Sequence, residues 1–234
     1  MAQVSVARPR AEALVNEFVR SVYNWMAVGL GLTGVVAYYV STSPSILRLI
    51  YGNPILLFVL IAAELGLVFS ISGMVTRLSA STATLLFVIY SALNGVTLSF
   101  IFLVYTRASI VSTFFICAGT FLACSIYGWT TKRDLTSWGG FLMMGLIGII
   151  IASLVNMFIR SSAMDLIISY IGVIVFVGLT AHDTQRLKHM ALTQPADLEA
   201  GVVRKGAILG ALSLYLDFVN LFLMLLRIFG SSKE

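Results

Sequence analysis

An aspartate sits mid-way along the apolar run Ala211–Arg227, a stretch long enough to cross a bilayer. A carboxylate at membrane depth costs about 2.5–3.5 kcal/mol on insertion scales, so Asp217 is expected to face protein or water rather than lipid. At helical spacing Ser213, Asp217 and Asn220 fall on one face, a polar stripe on a helix that is otherwise apolar all round. Such a helix is best accommodated inside a bundle, enclosed by the other helices. Two readings stay open for the acid: it holds helices together by hydrogen bonding, or it handles ions or protons.

The rest of the chain supplies the bundle. Of its 234 residues 59% are hydrophobic and 11% charged, with a mean hydropathy of +0.98. Soluble domains carry roughly 25% charged residues. The composition therefore predicts an all-α polytopic membrane protein. A net charge of +5 would suggest nucleic acid in a soluble chain, but here the cations cluster in short connections between apolar segments, which reads as topology and not as nucleic-acid binding. Cys117 and Cys124 lie seven residues apart on one helical face, about 10 Å by rise alone, too far for a disulfide. They are expected to be packing residues. The first twenty residues carry Arg8, Arg10, Glu12, Glu17 and Arg20, and the apolar run after them is expected to act as its own uncleaved insertion signal.

Seven apolar runs are predicted to span the membrane, at about 22–40, 54–75, 83–105, 109–129, 138–159, 165–182 and 206–229, framed by an amino-terminal tail, 1–21, and a carboxyl-terminal tail, 230–234. Each run is near the ~20 residues that cross the hydrocarbon core. Ten cations (Arg8, Arg10, Arg20, Arg77, Lys132, Arg133, Arg186, Lys188, Arg204, Lys205) collect on one side against five (Arg48, Arg107, Arg160, Arg227, Lys233) on the other. The richer side is expected to be cytoplasmic, which places the amino terminus inside and the carboxyl terminus outside. Small residues, Gly29, Gly31, Gly34, Gly145, Gly148, Gly206 and Gly210, are expected to let helices approach closely. Trp25, Trp129 and Trp138 lie near span ends as interfacial anchors.

Few ionisable groups lie within or beside the membrane. Besides Asp217 there are Glu64, central in the second run, and Asp183, at the end of the sixth; Arg77 follows the second run. Two acids on consecutive helices titrate as a coupled unit if they meet, and such a pair responds to pH. Their oxygens, with the amide of Asn220, also suit a weak, transient calcium site, since calcium prefers carboxylate and carbonyl ligands. Glu64 and Asn94 are candidates to line the same path, although a neutral Glu64 bonded to a backbone carbonyl is an alternative. Entering at Gly206, Asp217 lies ~16 Å deep while Asp183 is within a turn of the surface, so contact would need tilt, displacement or a water-filled vestibule. His182 is read as an interfacial histidine, with a second proton sensor as the lesser alternative. The segment 186–205, with His189, Pro195, Asp197 and Glu199, is read as a solvated connector whose basic residues touch anionic lipid.

Four segments carry a resemblance to a known family: 211–222 (ALSLYLDFVNLF), 178–185 (GLTAHDTQ), 22–26 (VYNWM) with Gly29, Thr33 and Gly34, and 91–99 (SALNGVTLS). The chain resembles the Bax inhibitor-1, or transmembrane Bax inhibitor motif, proteins, in their bacterial branch. His182 departs from the family's usual tyrosine before the aspartate. The resemblance implies a seven-helix fold with the last helix surrounded by the other six, a bacterial cytoplasmic (inner) membrane location, and a pH-sensitive calcium leak. It further implies that Asp183 and Asp217 form the pH sensor with Arg77 as a latch partner, and that Glu64 matches an acid in the family's second helix.

The function expected is a passive, pH-gated cation channel, with protons and calcium as its ligands and no bound cofactor. The alternative is a regulator that transports nothing and engages a membrane-anchored AAA protease, as some bacterial relatives are described to do, through residues 1–20. An enzyme is not expected. Intramembrane aspartyl proteases place Gly-x-Gly before the second acid, whereas Leu214-Tyr215-Leu216 precede Asp217. A retinal protein would need an interior lysine in the last span, where only Lys205 at its edge occurs.

Overall fold

The computed structural model describes residues 3–193, 195 and 198–233, with side chains described from residue 15 onward. Asp197 and the side chains of Arg8 and Arg10 lie outside that description. The chain is helical almost throughout: α1 (Gln3–Ser41), α2 (Pro44–Tyr51), α3 (Pro54–Met74), α4 (Ala80–Leu98), α5 (Ile101–Val104), α6 (Arg107–Thr130), α7 (Thr136–Ile159), α8 (Ser162–Thr193) and α9 (Ala200–Phe229). Among the described residues six helices are long and apolar enough to cross a membrane: α3, α4 with α5, α6, α7, α8 and α9. A seventh crossing arises if α1 from Val15 and α2, bent by 100° at their junction, count as one span. The chain is an all-α polytopic membrane protein.

Local chemistry explains where these helices start. Asn53 caps α3 by accepting the N–H groups of Ile55 (3.1 Å) and Leu56 (3.3 Å), with Pro54 in the first turn where a missing N–H does no harm. Ser79 does the same for α4 through Thr82 N–H, and Thr106 for α6 through Ser109 N–H. The short Thr106 turn is what separates two apolar runs that read almost as one.

Two compact units emerge, one of residues 1–104 and 190–215, the other of 105–189 and 216–234. Within the first, α1 and α4 cross at small residues. A Cβ on Gly29 would lie 2.7 Å from the Phe87 ring, and one on Gly95 would lie 2.7 Å from Thr33 O, so only glycine permits this approach. Gly31, Gly34 and Gly148 face open space instead. The first half of α9 fills this unit with Ala207, Ile208, Ala211, Leu214 and Tyr215, none of them exposed. Within the second unit the remainder of α9 packs on α6: the Phe218 ring stands edge-on to Phe114 (5.5 Å) and Phe121 (5.4 Å), and Cys117 Sγ donates to Phe218 O. At its far end Ser231 O accepts the Thr106 N–H, stitching the last residues to the turn before α6. Across the spans, burial is 72% for α9 and 6% for α3.

Three departures from the sequence-based expectations follow. The segment 41–53, expected to be connection only, contains α2. The run 83–105 is interrupted at Ser99–Phe100, where Tyr51 of α2 inserts its hydroxyl: it accepts the Phe100 N–H (3.0 Å) and donates to Thr97 O (2.9 Å), replacing bonds that the break removes. A broken helix at membrane depth is tolerable because its backbone groups are bonded in this way. The connector 186–205 is mostly helical, since α8 continues through Gln185–Ala191, a run of good helix formers without glycine or proline, and stops just before Pro195.

Candidate functional site: the aspartates of α8 and α9

Asp183 is held on a rigid stretch of α8. Gly128 of α6 lies so close to Ala181 O that any side chain there would collide with it. One turn later Gln185 clamps the α6–α7 connection, accepting the Leu135 N–H (2.8 Å) and donating to Arg133 O (2.8 Å). Lys188 donates to Trp129 O (2.6 Å) and lies 5.6 Å from the Trp129 ring centroid, so this tryptophan anchors α8. These contacts fix the backbone on both sides of Asp183.

The neighbour His182 takes part in the site. Its Nδ1 stands 2.9 Å from Asp183 Oδ1, and both side chains are largely buried. Opposite a carboxylate that ring nitrogen is the donor. Room for the imidazole comes from α7, where a Cβ on Gly139 would lie 2.6 Å from His182 Nε2. The ring is packed against Gly139, and its Nδ1 is bonded to the Asp183 carboxylate. In the sequence the only signal for this contact is the pair Gly139-Gly140 at the start of the fifth run.

Asp217, 5% exposed, is enclosed by protein, and its Oδ2 has no hydrogen-bond partner among the described residues. The Asp183 carboxylate is near enough to act on it electrostatically. Along their helices Asp183 lies ten residues before the end of α8 at Thr193 and Asp217 seventeen after the start of α9 at Ala200. Buried polar groups are nearly always bonded, so the Asp217 oxygen left without a partner among the described residues is an exception to that rule. Among the described residues no three His, Cys, Asp or Glu side chains gather to hold a metal.

The other residues of interest are distributed. Asn220 returns its amide nitrogen to Leu216 O of its own helix (2.8 Å), and Ser213 lies one turn before Asp217. Arg77 is exposed in the α3–α4 turn, its backbone N–H bonded to Met74 O (2.9 Å), and belongs to the first unit, whereas both aspartates belong to the second. Glu64 and Asn94 also lie in the first unit, in a polar cluster of their own. Thr97 Oγ1 donates to Glu64 Oε1 (2.8 Å), the Asn94 side chain lies beside the same carboxyl, and Asn94 Oδ1 accepts from Tyr215 OH (3.2 Å). Composition and spacing do not single out Tyr215, which is fully buried and brings its hydroxyl to this cluster from α9.

The chain is similar over nearly its full length to several bacterial proteins. It is 53% identical to inner membrane protein YbhL of Escherichia coli, covering 98% of this chain and 97% of that one. It is 47% identical to a protein of Borreliella burgdorferi (99% of each chain) and 44% identical to one of Rickettsia prowazekii (94% and 92%). The family model described as "Inhibitor of apoptosis-promoting Bax1" matches residues 15–234, and with the motifs around Asp183 and Asp217 inside that match, the chain belongs to the Bax inhibitor family.

Proposed function

We propose that this chain is a pH-sensitive leak pathway for calcium and related cations, gated by protonation of Asp183 and Asp217. The observation that carries the reading is the buried Asp217 carboxylate, with one oxygen unbonded and the Asp183 charge acting on it. A second acid within electrostatic reach makes the state of the pair depend on proton and cation together, so calcium competes with protons there. His182 modulates the Asp183 end. Arg77 is the latch partner that the family resemblance implies, and Ser213 and Asn220 line the path along α9. Binding at so sparse an oxygen set is weak, which suits passage better than storage.

The location we infer is the bacterial inner membrane, by analogy with inner membrane protein YbhL, with the amino terminus in the cytoplasm and the carboxyl terminus outside. Calcium flux into proteoliposomes, measured against pH for the parent, Asp183→Asn and Asp217→Asn, tests the gating. Loss or displacement of the pH response in the variants supports it; parent-like flux in both rejects the sensor. A second reading, a regulator of a membrane-anchored AAA protease, draws on the length of α1, which begins at Gln3 and exceeds what a span requires. Absence of flux at any pH, together with co-purification of such a protease that is lost on deleting residues 1–20, would favour it.

A further inference from the structure

The cluster around Glu64 is continuous, and the hydroxyls of Thr97, Tyr215 and Thr33 each have more than one place to put a proton. Thr97 Oγ1 lies 2.8 Å from Glu64 Oε1, but also 3.1 Å from Asn94 O. Tyr215 OH lies 3.2 Å from Asn94 Oδ1 and 2.6 Å from Thr33 Oγ1. Thr33 in turn reaches Ser91 O (2.8 Å) and Gly29 O (2.9 Å). Asn94 Nδ2 reaches Tyr90 OH at 3.5 Å, and its side chain lies beside the Glu64 carboxyl. The chain of bonds thus runs from α3 through α4 to α9 and α1, all within the first unit.

We propose that Glu64 is a second proton-carrying site of the protein and that Asn94 and Tyr215 tie its protonation state to α9. With Glu64 ionised, Thr97 O–H and the Asn94 amide N–H both donate to the carboxylate, while Tyr215 O–H donates to Asn94 Oδ1. When a proton binds, the carboxyl O–H donates to Thr97 Oγ1, and the threonine proton turns to Asn94 O, an acceptor already within reach. No helix has to unwind. Asn94 then loses its charged acceptor, its amide relaxes toward Tyr90, and the Tyr215 hydroxyl is released to Thr33. Tyr215 is therefore a positioning residue, the point where α9 senses a carboxyl on α3.

The titratable groups facing Glu64 are Tyr90 of α4 and Tyr215 of α9, both phenols. From α2, Tyr51 sits on the backbone at Thr97, and Arg48 is exposed. The switch therefore involves one ionisable acid and neutral relays. It stands on this network alone and does not require the leak.

The test is infrared difference spectroscopy of carboxyl protonation against pH, with the full chain in lipid nanodiscs. The parent should show a titrating carboxyl band that is missing in Glu64→Gln. Its midpoint should rise by about half a pH unit or more in Thr97→Val and in Tyr215→Phe, each of which removes one hydroxyl donor and keeps the side-chain shape. Should Tyr215→Phe fail to assemble, Asn94→Ala cuts the same link without touching α9 and should give the same rise. A parent spectrum with no band lost in Glu64→Gln overturns the proton site, and a midpoint unmoved in Tyr215→Phe or Asn94→Ala overturns the link to α9. Flux plays no part in the readout, so failure of the leak and failure of this switch are separate results.

Discussion

His182 Nδ1 and Asp183 Oδ1, on consecutive residues of α8, stand 2.9 Å apart in a pocket that Gly139 of α7 leaves open. A hydrogen bond to a charged group contributes about 1.5–3 kcal/mol when it is shielded from water. His182→Ala should lower the stability of the purified protein by about that much, and His182→Gln, which keeps a donor, by less. Gly139→Ala should displace the ring and cost a similar amount. Because both changes break one interaction, the double variant should be no worse than the poorer single one in thermal unfolding; simple additivity would show that the histidine and the glycine act separately.

The Tyr51 hydroxyl closes the break between α4 and α5. Tyr51→Phe leaves the Phe100 N–H and Thr97 O without that partner and should cost about 1–3 kcal/mol. Hydrogen exchange should accelerate at Phe100 and across α5 and remain at parent level in α6. Unchanged protection at Phe100 would mean that the break is held by something else.

Gly128 and the Ala181 carbonyl set the separation of α6 and α8. Gly128→Ala inserts a methyl where no space exists and should destabilise the protein by about 1–3 kcal/mol, the usual range for overpacking. Gly119 of the same helix faces open space, so Gly119→Ala should be close to neutral. Comparing the two variants by thermal melting separates a local clash from a general dislike of alanine in α6.

Asp134 precedes α7. Bonds from the Thr136 hydroxyl and the Thr136 N–H (2.8 Å), with a smaller contribution from His189, hold its carboxyl below the ordinary 3.8. A value depressed in the folded state means stabilisation that is complete above pH 3.8 and is lost as the pH falls through the folded value. Asp134→Ala should therefore melt earlier than the parent near neutral pH, with the gap closing on acidification. A gap that widens in acid contradicts the assignment.

The apolar runs could be read from the sequence because membrane helices declare themselves by length and hydropathy, and the places of Asp217 and Asp183 within them followed from the cost of burying charge. What escaped was whatever depends on a side chain from one segment repairing another. The break at Ser99–Phe100 has no glycine or proline to announce it, and it exists because Tyr51 supplies the missing bonds. The role of His182 depends on Gly139, more than forty residues away in sequence, being small. Tyr215 reads as one more apolar position in α9, since only the fold brings Asn94 and Thr33 to its hydroxyl. The extension of α8 was legible in principle from its helix formers, but the basic residues there drew the reading toward a connector.

Only 6% of the apolar window of α3 is buried by the chain itself, although this helix carries Glu64. Lipid therefore completes its packing, and whatever replaces lipid during extraction competes for the face by which α3 leans on α4. Short-chain surfactants should peel this helix away, and the Tyr51 elbow with it, well before the deeply covered α9 loosens. Micellar and bilayer preparations are then different materials for any titration of the acid on α3.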